Sequence, residues 1–308
     1  MKAIITDTVM MIRPAHFGYN EETAANNAFQ RQEMERSKEE VEDQARTEFD
    51  AFVRRLQSSD IRVQVIADTP EPLMPDAVFP NNWISFHADG KIITYPMFSE
   101  IRRQERRLDV VRSMQIAFGF KEVIDYSHWE QEEKYLEGTG SMLFERRERF
   151  AFACISPRTH PDLFQLYCQD QGYQPVLFEA EDGTGQLIYH TNVMMAMGES
   201  YAVICLDAIP GARDRDKVTS TLRKLGKSII EISLEQVNAF AGNMLLVHNK
   251  HGIRYLILSE QAFLSLNSSQ INSLEKEATI LQAPIYTIEK LGGGSVRCML
   301  AEVFLPKK

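Results

Sequence analysis

Five times along this chain a polar or glycine-rich opening precedes a short apolar run, and after the first four a turn, a second apolar run and a helical stretch follow. The openings are Asn81-Asn82 before Trp83-Ile84, Gly138-Thr139-Gly140 before Met142 to Phe144, and His190-Thr191-Asn192 before Val193 to Met195. Gly242-Asn243 before Met244 to Leu246 and Gly292-Gly293-Gly294 before Val296 to Phe304 complete the set. Measured between Asn82, Gly140, Asn192, Asn243 and Cys298, the separations are 58, 52, 51 and 55 residues. A repeat near 50 residues marks supersecondary units that bury their faces only against one another and so stack or close into a ring. The sequence therefore predicts a small α/β propeller, one domain over residues 1–308, whose openings converge at one end of the ring axis and assemble a site from five loops.

Outside the repeat, Glu21 to Gln57 is highly charged, yet Val41, Ala45, Phe49, Phe52, Val53 and Leu56 fall on one face at three- and four-residue steps. This reads as one long amphipathic helix. Ile61, Val63, Val65 and Ala67 alternate with polar residues as a strand does, and Pro70 to Pro80 must then be extended or turning. Asp89-Gly90 reads as a hairpin turn between Ile84–Phe86 and Lys91–Tyr95 rather than as part of an H-x-D site with His87.

Charge narrows the partners. A net charge of −9 over 308 residues offers no basic field for a polyphosphate backbone, so nucleic acid is not expected. No apolar run approaches the ~20 residues that span a bilayer, and Met1 to Arg13 lacks the flanks of a signal peptide, so a cytoplasmic protein without a membrane partner is expected. Cys154, Cys168, Cys205 and Cys298 form no CxxC pair and have no metal-ligand spacing with the histidines; reduced thiols, no metal and no organic cofactor follow. Nothing fixes the oligomeric state, a homodimer being one option.

Of the four thiols, Cys298 stands apart. It lies four residues after the glycine run and next to Arg297, where backbone can approach a ligand and positive charge favours thiolate, whereas Cys154 and Cys205 sit in apolar strands. His190 opens a strand after the turn around Gly183 and Gly185; alone it is a capped histidine, but across a ring axis it can neighbour the cysteine, as nucleophilic catalysis needs. Glu137 alone is a turn carboxylate, Asp76 an Asx turn, Arg102 part of the solvated face of a helix, and Arg158 a loop charge.

These motifs resemble the pentein superfamily, which holds arginine deiminases, dimethylarginine dimethylaminohydrolases and amidinotransferases, and most of all its citrulline-utilisation branch. The resemblance runs from about Met11 to Pro306 and is carried by PDAVFPNNW, LEGTGS, the H-x-N at His190, AGNMLLV and GGGSVRCM. It implies a five-bladed ββαβ propeller with pseudo-fivefold symmetry, with Cys298 as nucleophile, His190 as proton shuttle and Glu137 orienting histidine and substrate. It further implies Asp76 at the amino-acid end of the substrate and Arg102 and Arg158 on its α-carboxylate.

The departures carry information too. Relatives that act on guanidinium usually place a carboxylate where Asn82 stands here and often another where Asn192 stands, and dimethylargininases have a further acid where Asn81 stands. A guanidinium offers donors only and needs acceptor-only carboxylates, whereas a neutral ureido group presents both a carbonyl and N–H donors that an amide can satisfy. The expectation is a cysteine-dependent hydrolase acting on citrulline, giving ornithine, carbon dioxide and ammonia. The rival readings are an arginine deiminase or amidinotransferase, and a pentein that binds without turnover.

Overall fold

The structure, a computed structural model, describes residues 4–24, 27–32 and 36–306. Among these, fifteen strands form five three-stranded sheets. Strands β1 (Thr8–Arg13) and β2 (Arg62–Ala67) pair in parallel, with Thr8 opposite Arg62 and Arg13 opposite Ala67. The next three sheets each follow one local order. In β3 (Ile84–Phe86), β4 (Lys91–Thr94) and β5 (Glu122–Asp125) the first pair is an antiparallel hairpin and the second is parallel, after a helical crossover. The same pattern builds β6 (Leu143–Glu145), β7 (Phe150–Cys154) and β8 (Gln174–Phe178), then β9 (Met195–Met197), β10 (Tyr201–Ile204) and β11 (Ser228–Glu231). The fourth such unit is β12 (Leu245–His248), β13 (Arg254–Ser259) and β14 (Thr279–Ala283).

The fifth sheet is closed by opposite ends of the chain. β15 (Ala301–Glu302) pairs antiparallel with β1, supplying the first strand of a blade whose other two strands lie about 240 residues or more earlier. Phe86 at the end of β3 bridges Val303, so the first and last inner strands lie side by side. This is the five-bladed ββαβ ring that the repeat predicts. The hairpin of the first full blade turns at Asp89-Gly90 with Gly90 at φ 90°, the left-handed region glycine adopts freely. The middle strands are buried, as in Tyr201–Ile204, and their side chains join cores that run from blade to blade.

Two expectations need correction. The segment 21–57 is not one helix: Glu21–Ala24 is a single turn, and the long helix spans Lys38–Ser58. Ser37 starts it, accepting from the Glu40 amide while the Glu40 carboxylate accepts from the Ser37 amide, a capping box that satisfies the first orphan donors. The amphipathic face is as read, with Ala45, Phe49, Phe52 and Leu56 fully buried. The blade strands also start later than read. Pro80–Asn82, Gly138–Ser141 and Thr191–Met194 are single helical turns, and Ser295–Leu300 is closed by i to i+3 amide bonds, so Val296 to Phe304 is a strand only at Ala301–Glu302. These turns set the opening residues at one end of the inner strands, facing one another. Among the described residues, no helix is long and apolar enough to cross a membrane.

Candidate active site

A narrow cavity at that end of the ring is lined by Asp76, Asn82, Arg102, Arg158, His190 and Cys298 together with the glycine run 292–294. Every residue singled out in the sequence lies in or directly behind it, and each is at most 4% exposed. Arg102 and Arg158, read first as surface charges, are 2% exposed and belong to this cluster.

The cysteine sulfur is surrounded by amides. Asn243 Nδ2 lies 3.3 Å and Asn192 Nδ2 3.5 Å from Cys298 Sγ, each an N–H donor toward an atom that is an acceptor once ionised. Asn243 is itself fixed: it donates to the Asn192 carbonyl at 2.9 Å and accepts from the Arg297 amide at 3.0 Å. The charge expected from Arg297 is not at the sulfur. Its guanidinium turns away to the Leu300 carbonyl and to Glu302, each at 2.8 Å. All four cysteines are free and buried. Burial pushes the Cys154 thiol up to about 11 and Cys168 up to about 12, which makes both inert.

His190 Nε2 lies 2.8 Å from Glu137 Oε2. Burial alone would raise the Glu137 carboxyl, but Arg158, the His190 hydrogen bond and Arg102 hold it down to about 2, so it is ionised and accepts only. His190 Nε2 therefore carries the proton, and Nδ1 is a bare lone pair on the side of Gly140. Burial lowers the His190 pKa to about 4 against the pull of Glu137, so the ring is neutral at physiological pH. A buried neutral histidine backed by a carboxylate is suited to take a proton and return it.

Glycine is required at one point of this arrangement. A Cβ on Gly140 would sit 2.6 Å from Asn82 Nδ2 and 2.7 Å from His190 Nδ1. Gly140→Ala should push both groups aside, and a displacement near 1 Å costs on the order of 100-fold in rate. Steady-state kcat beside an unchanged circular-dichroism spectrum checks this.

At the far side of the cavity, Asp76 Oδ2 accepts from Asn20 Nδ2 at 2.7 Å and Thr23 Oγ1 at 3.3 Å, while its Oδ1 is buried with no hydrogen-bond partner among the described residues. An unpaired buried carboxylate oxygen is costly and calls for a donor. Arg158 donates to the Thr23 carbonyl at 3.0 Å, lies 3.8 Å from Glu137 Oε2, and stacks 4.8 Å from the Tyr189 ring centroid. Arg102 forks onto Glu105 at 2.8 and 2.9 Å and donates to Asn82 Oδ1 at 2.8 Å.

Sequence reading left Asn243 undecided and passed over Asn20, Thr23, Asn27, Tyr189 and Glu105. Asn243 had a signal in its place in the repeat. Asn20, Thr23 and Asn27 reach the site from a segment outside the five blades, and Asn27 Nδ2 donates to the Gly293 carbonyl at 3.3 Å; no periodicity marks them.

Comparison with known proteins places this arrangement. The profile of the family described as N,N dimethylarginine dimethylhydrolase, eukaryotic, matches residues 13–305. No curated protein matches the sequence significantly. Among solved structures, the N-terminal domain of ArgZ, an arginine dihydrolase from the ornithine-ammonia cycle in cyanobacteria, has a TM-score of 0.73 at 16% identity, covering 97% of this chain and 98% of that one. AgrE bound to L-arginine has a TM-score of 0.73 at 15% identity, with 98% of this chain covering 40% of that one. The DDAH of Pseudomonas aeruginosa complexed with citrulline has a TM-score of 0.64 at 14% identity, over 97% and 100% of the two chains. At these identities the likeness is one of fold. With the family profile spanning almost the whole sequence and five ββαβ blades around one polar cavity, the chain belongs to the N,N dimethylarginine dimethylhydrolase family of the pentein superfamily, hydrolases of non-peptide C–N bonds.

Proposed function

We propose that the protein hydrolyses the ureido group of citrulline, or a close analogue, to ornithine, carbon dioxide and ammonia through a thioester-like adduct on Cys298. The observation that carries this reading is the polarity around the reacting pair. Asn82, Asn192 and Asn243 stand about Cys298 and His190, and the carboxylate behind them, Glu137, is already shared by His190, two arginines and the Phe98 amide at 3.0 Å. With Asp76 engaged at the amino-acid end, a guanidinium beside Cys298 would enter as a cation with no uncommitted carboxylate among the described residues, and an unpaired buried charge costs about 3–5 kcal/mol. A ureido group is neutral and meets amides from both of its faces.

His190 Nδ1 takes the Cys298 proton, and the thiolate attacks the ureido carbon, moving the carbonyl electron pair onto oxygen. Collapse of this tetrahedral adduct expels a nitrogen, which takes the proton back from His190. The histidine, neutral again, removes a proton from water, which attacks the S-bound carbonyl and frees the sulfur. The carbamate so formed breaks down to carbon dioxide and an amine. At the other end, Asp76 Oδ1 receives the α-ammonium and Arg158 the α-carboxylate.

Product analysis tests the reading. Purified protein given L-citrulline should release ornithine and ammonia, and given L-arginine it should release less than about a hundredth as much, the factor that an unpaired charge near 3 kcal/mol imposes. Conversion of arginine to citrulline at a comparable rate would sink the ureido reading and leave the fold and the thiol chemistry in place.

A further inference from the structure

The helix Tyr286–Gly292 runs from the glycine loop of the active site to a second cavity, of about 490 Å³, that the reaction above does not use. Space of that size takes a small organic ligand. Phe29, Phe240 and Glu289 line it as buried side chains, and Glu235, Arg31, Lys290 and Tyr286 as exposed ones. Its walls are held by bonds that also serve the catalytic groups. Glu289 Oε1 accepts from Ser295 Oγ at 2.6 Å, and the Ser295 carbonyl accepts from the Cys298 amide at 3.0 Å. The Phe240 carbonyl accepts from the Asn243 amide at 2.8 Å, and the Phe29 ring stands edge-on to Tyr189 with 6.0 Å between centroids. The cavity is therefore preformed, as small-molecule sites usually are.

The chemistry of the lining narrows the ligand to one class. Glu289 Oε2 is buried with no hydrogen-bond partner among the described residues. Burial pushes this carboxyl up to about 7, against the Ser259 and Ser295 hydroxyls that favour its ionised form. Glu48, on the helix Lys38–Ser58, adds negative charge nearby and is itself held by the Thr287 and Ile288 amides at 3.0 and 3.1 Å. A cation beside Glu289 would restore its ionised form and supply the missing donor. The Phe29 and Phe240 rings, tilted by 42° with centroids 5.4 Å apart, line the same space, and aromatic faces attract cations. Among the exposed groups, the Glu235 carboxylate and the Arg31 guanidinium match the ammonium and the carboxylate of an amino acid. We infer that this cavity binds a basic α-amino acid, the class of ornithine and arginine, with its side-chain cation at Glu289, its α-ammonium at Glu235 and its α-carboxylate at Arg31. The site is separate from the cavity of Cys298 and does not depend on the ureido reading.

Calorimetry with L-ornithine on the Cys298→Ala protein tests this, with Glu235→Gln or Arg31→Ala added. Both positions are exposed and neither lines the active site. Ornithine binding at this cavity should weaken by about 10-fold or more in each, while the dissociation constant of L-citrulline moves by less than about 2-fold. At pH 7 about half a proton should leave with each ornithine bound here as Glu289 ionises, read from the heats in two buffers of different ionisation enthalpy. Glu289→Gln should abolish that release. No ornithine binding, binding that answers to neither surface variant, or a proton release unchanged in Glu289→Gln would overturn the assignment. Ornithine binding that responds as described, in a protein whose wild type does not hydrolyse citrulline, supports this site and overturns the ureido reading alone.

Discussion

Replacing Cys298 by alanine should abolish turnover, on the order of 10⁶-fold in kcat, while leaving citrulline binding intact. The magnitude is that of removing a nucleophile from a unit in which the other groups act only through it. Binding should survive because Cys298 sits in a turn closed by backbone bonds, Cys298 N to the Ser295 carbonyl at 3.0 Å and Met299 N to the Val296 carbonyl at 3.2 Å, that do not involve the sulfur. The Asn243 side chain is likewise held by other partners, the Asn192 carbonyl and the Arg297 amide. Calorimetry on the variant should give a dissociation constant for citrulline close to the wild-type KM. Residual turnover above a few per cent would assign the chemistry to another group.

Glu137→Gln should cost about 10²–10⁴-fold in kcat. The wild-type carboxylate dictates that His190 Nε2 bears the proton, since it can only accept. A glutamine amide can present either its oxygen or its N–H to Nε2, so the base at Nδ1 is no longer assured. The pH profile separates this from a loss of packing. His190 must be neutral to act as base, and burial has lowered its pKa to about 4, so the acid limb of the wild-type profile should fall near pH 4 rather than near the 6.5 of a free imidazole. Stability follows the same sign. The folded pKa lies below the unfolded one, so the unfolded chain takes up the proton first as pH falls. The contribution of His190 is present above pH 6.5 and is lost as pH drops through about 4. An acid limb at 6.5 would show that the ring is charged and solvated in the working enzyme.

The sequence made the ring legible because its period is long-range and redundant: five openings spaced by 51 to 58 residues are hard to produce in another architecture. Closure through β15 and β1 was not read from the sequence, although the fifth opening lacks a full blade after it. What was not legible is what polar side chains do in three dimensions. Arg102 sits in a run of four arginines, Arg102-Arg103 and Arg106-Arg107, split by Gln104-Glu105, that looks solvated, and it is buried because the Glu105 carboxylate three residues on closes a fork with it. The split of segment 21–57 came from competition between local and tertiary demands. Charged residues keep a helical pattern through it, but Asn20, Thr23 and Asn27 are drawn to Asp76 and Gly293, and Ser37 with Glu40 supplies a better start. Arg297 was misplaced for a related reason: adjacency to Cys298 in sequence does not bring its guanidinium to the sulfur once Glu302 and a carbonyl compete for it.

The most direct measurement is a rapid acid quench of the protein with L-citrulline labelled at the ureido carbon, followed by peptide mapping. The label should appear on the peptide that carries Cys298 during turnover and pass to carbon dioxide, and no label should be found with Cys298→Ala. Release of ornithine from citrulline with no label ever on that peptide would contradict covalent attack by Cys298, and label on Cys298 from arginine but not from citrulline would contradict the ureido head group.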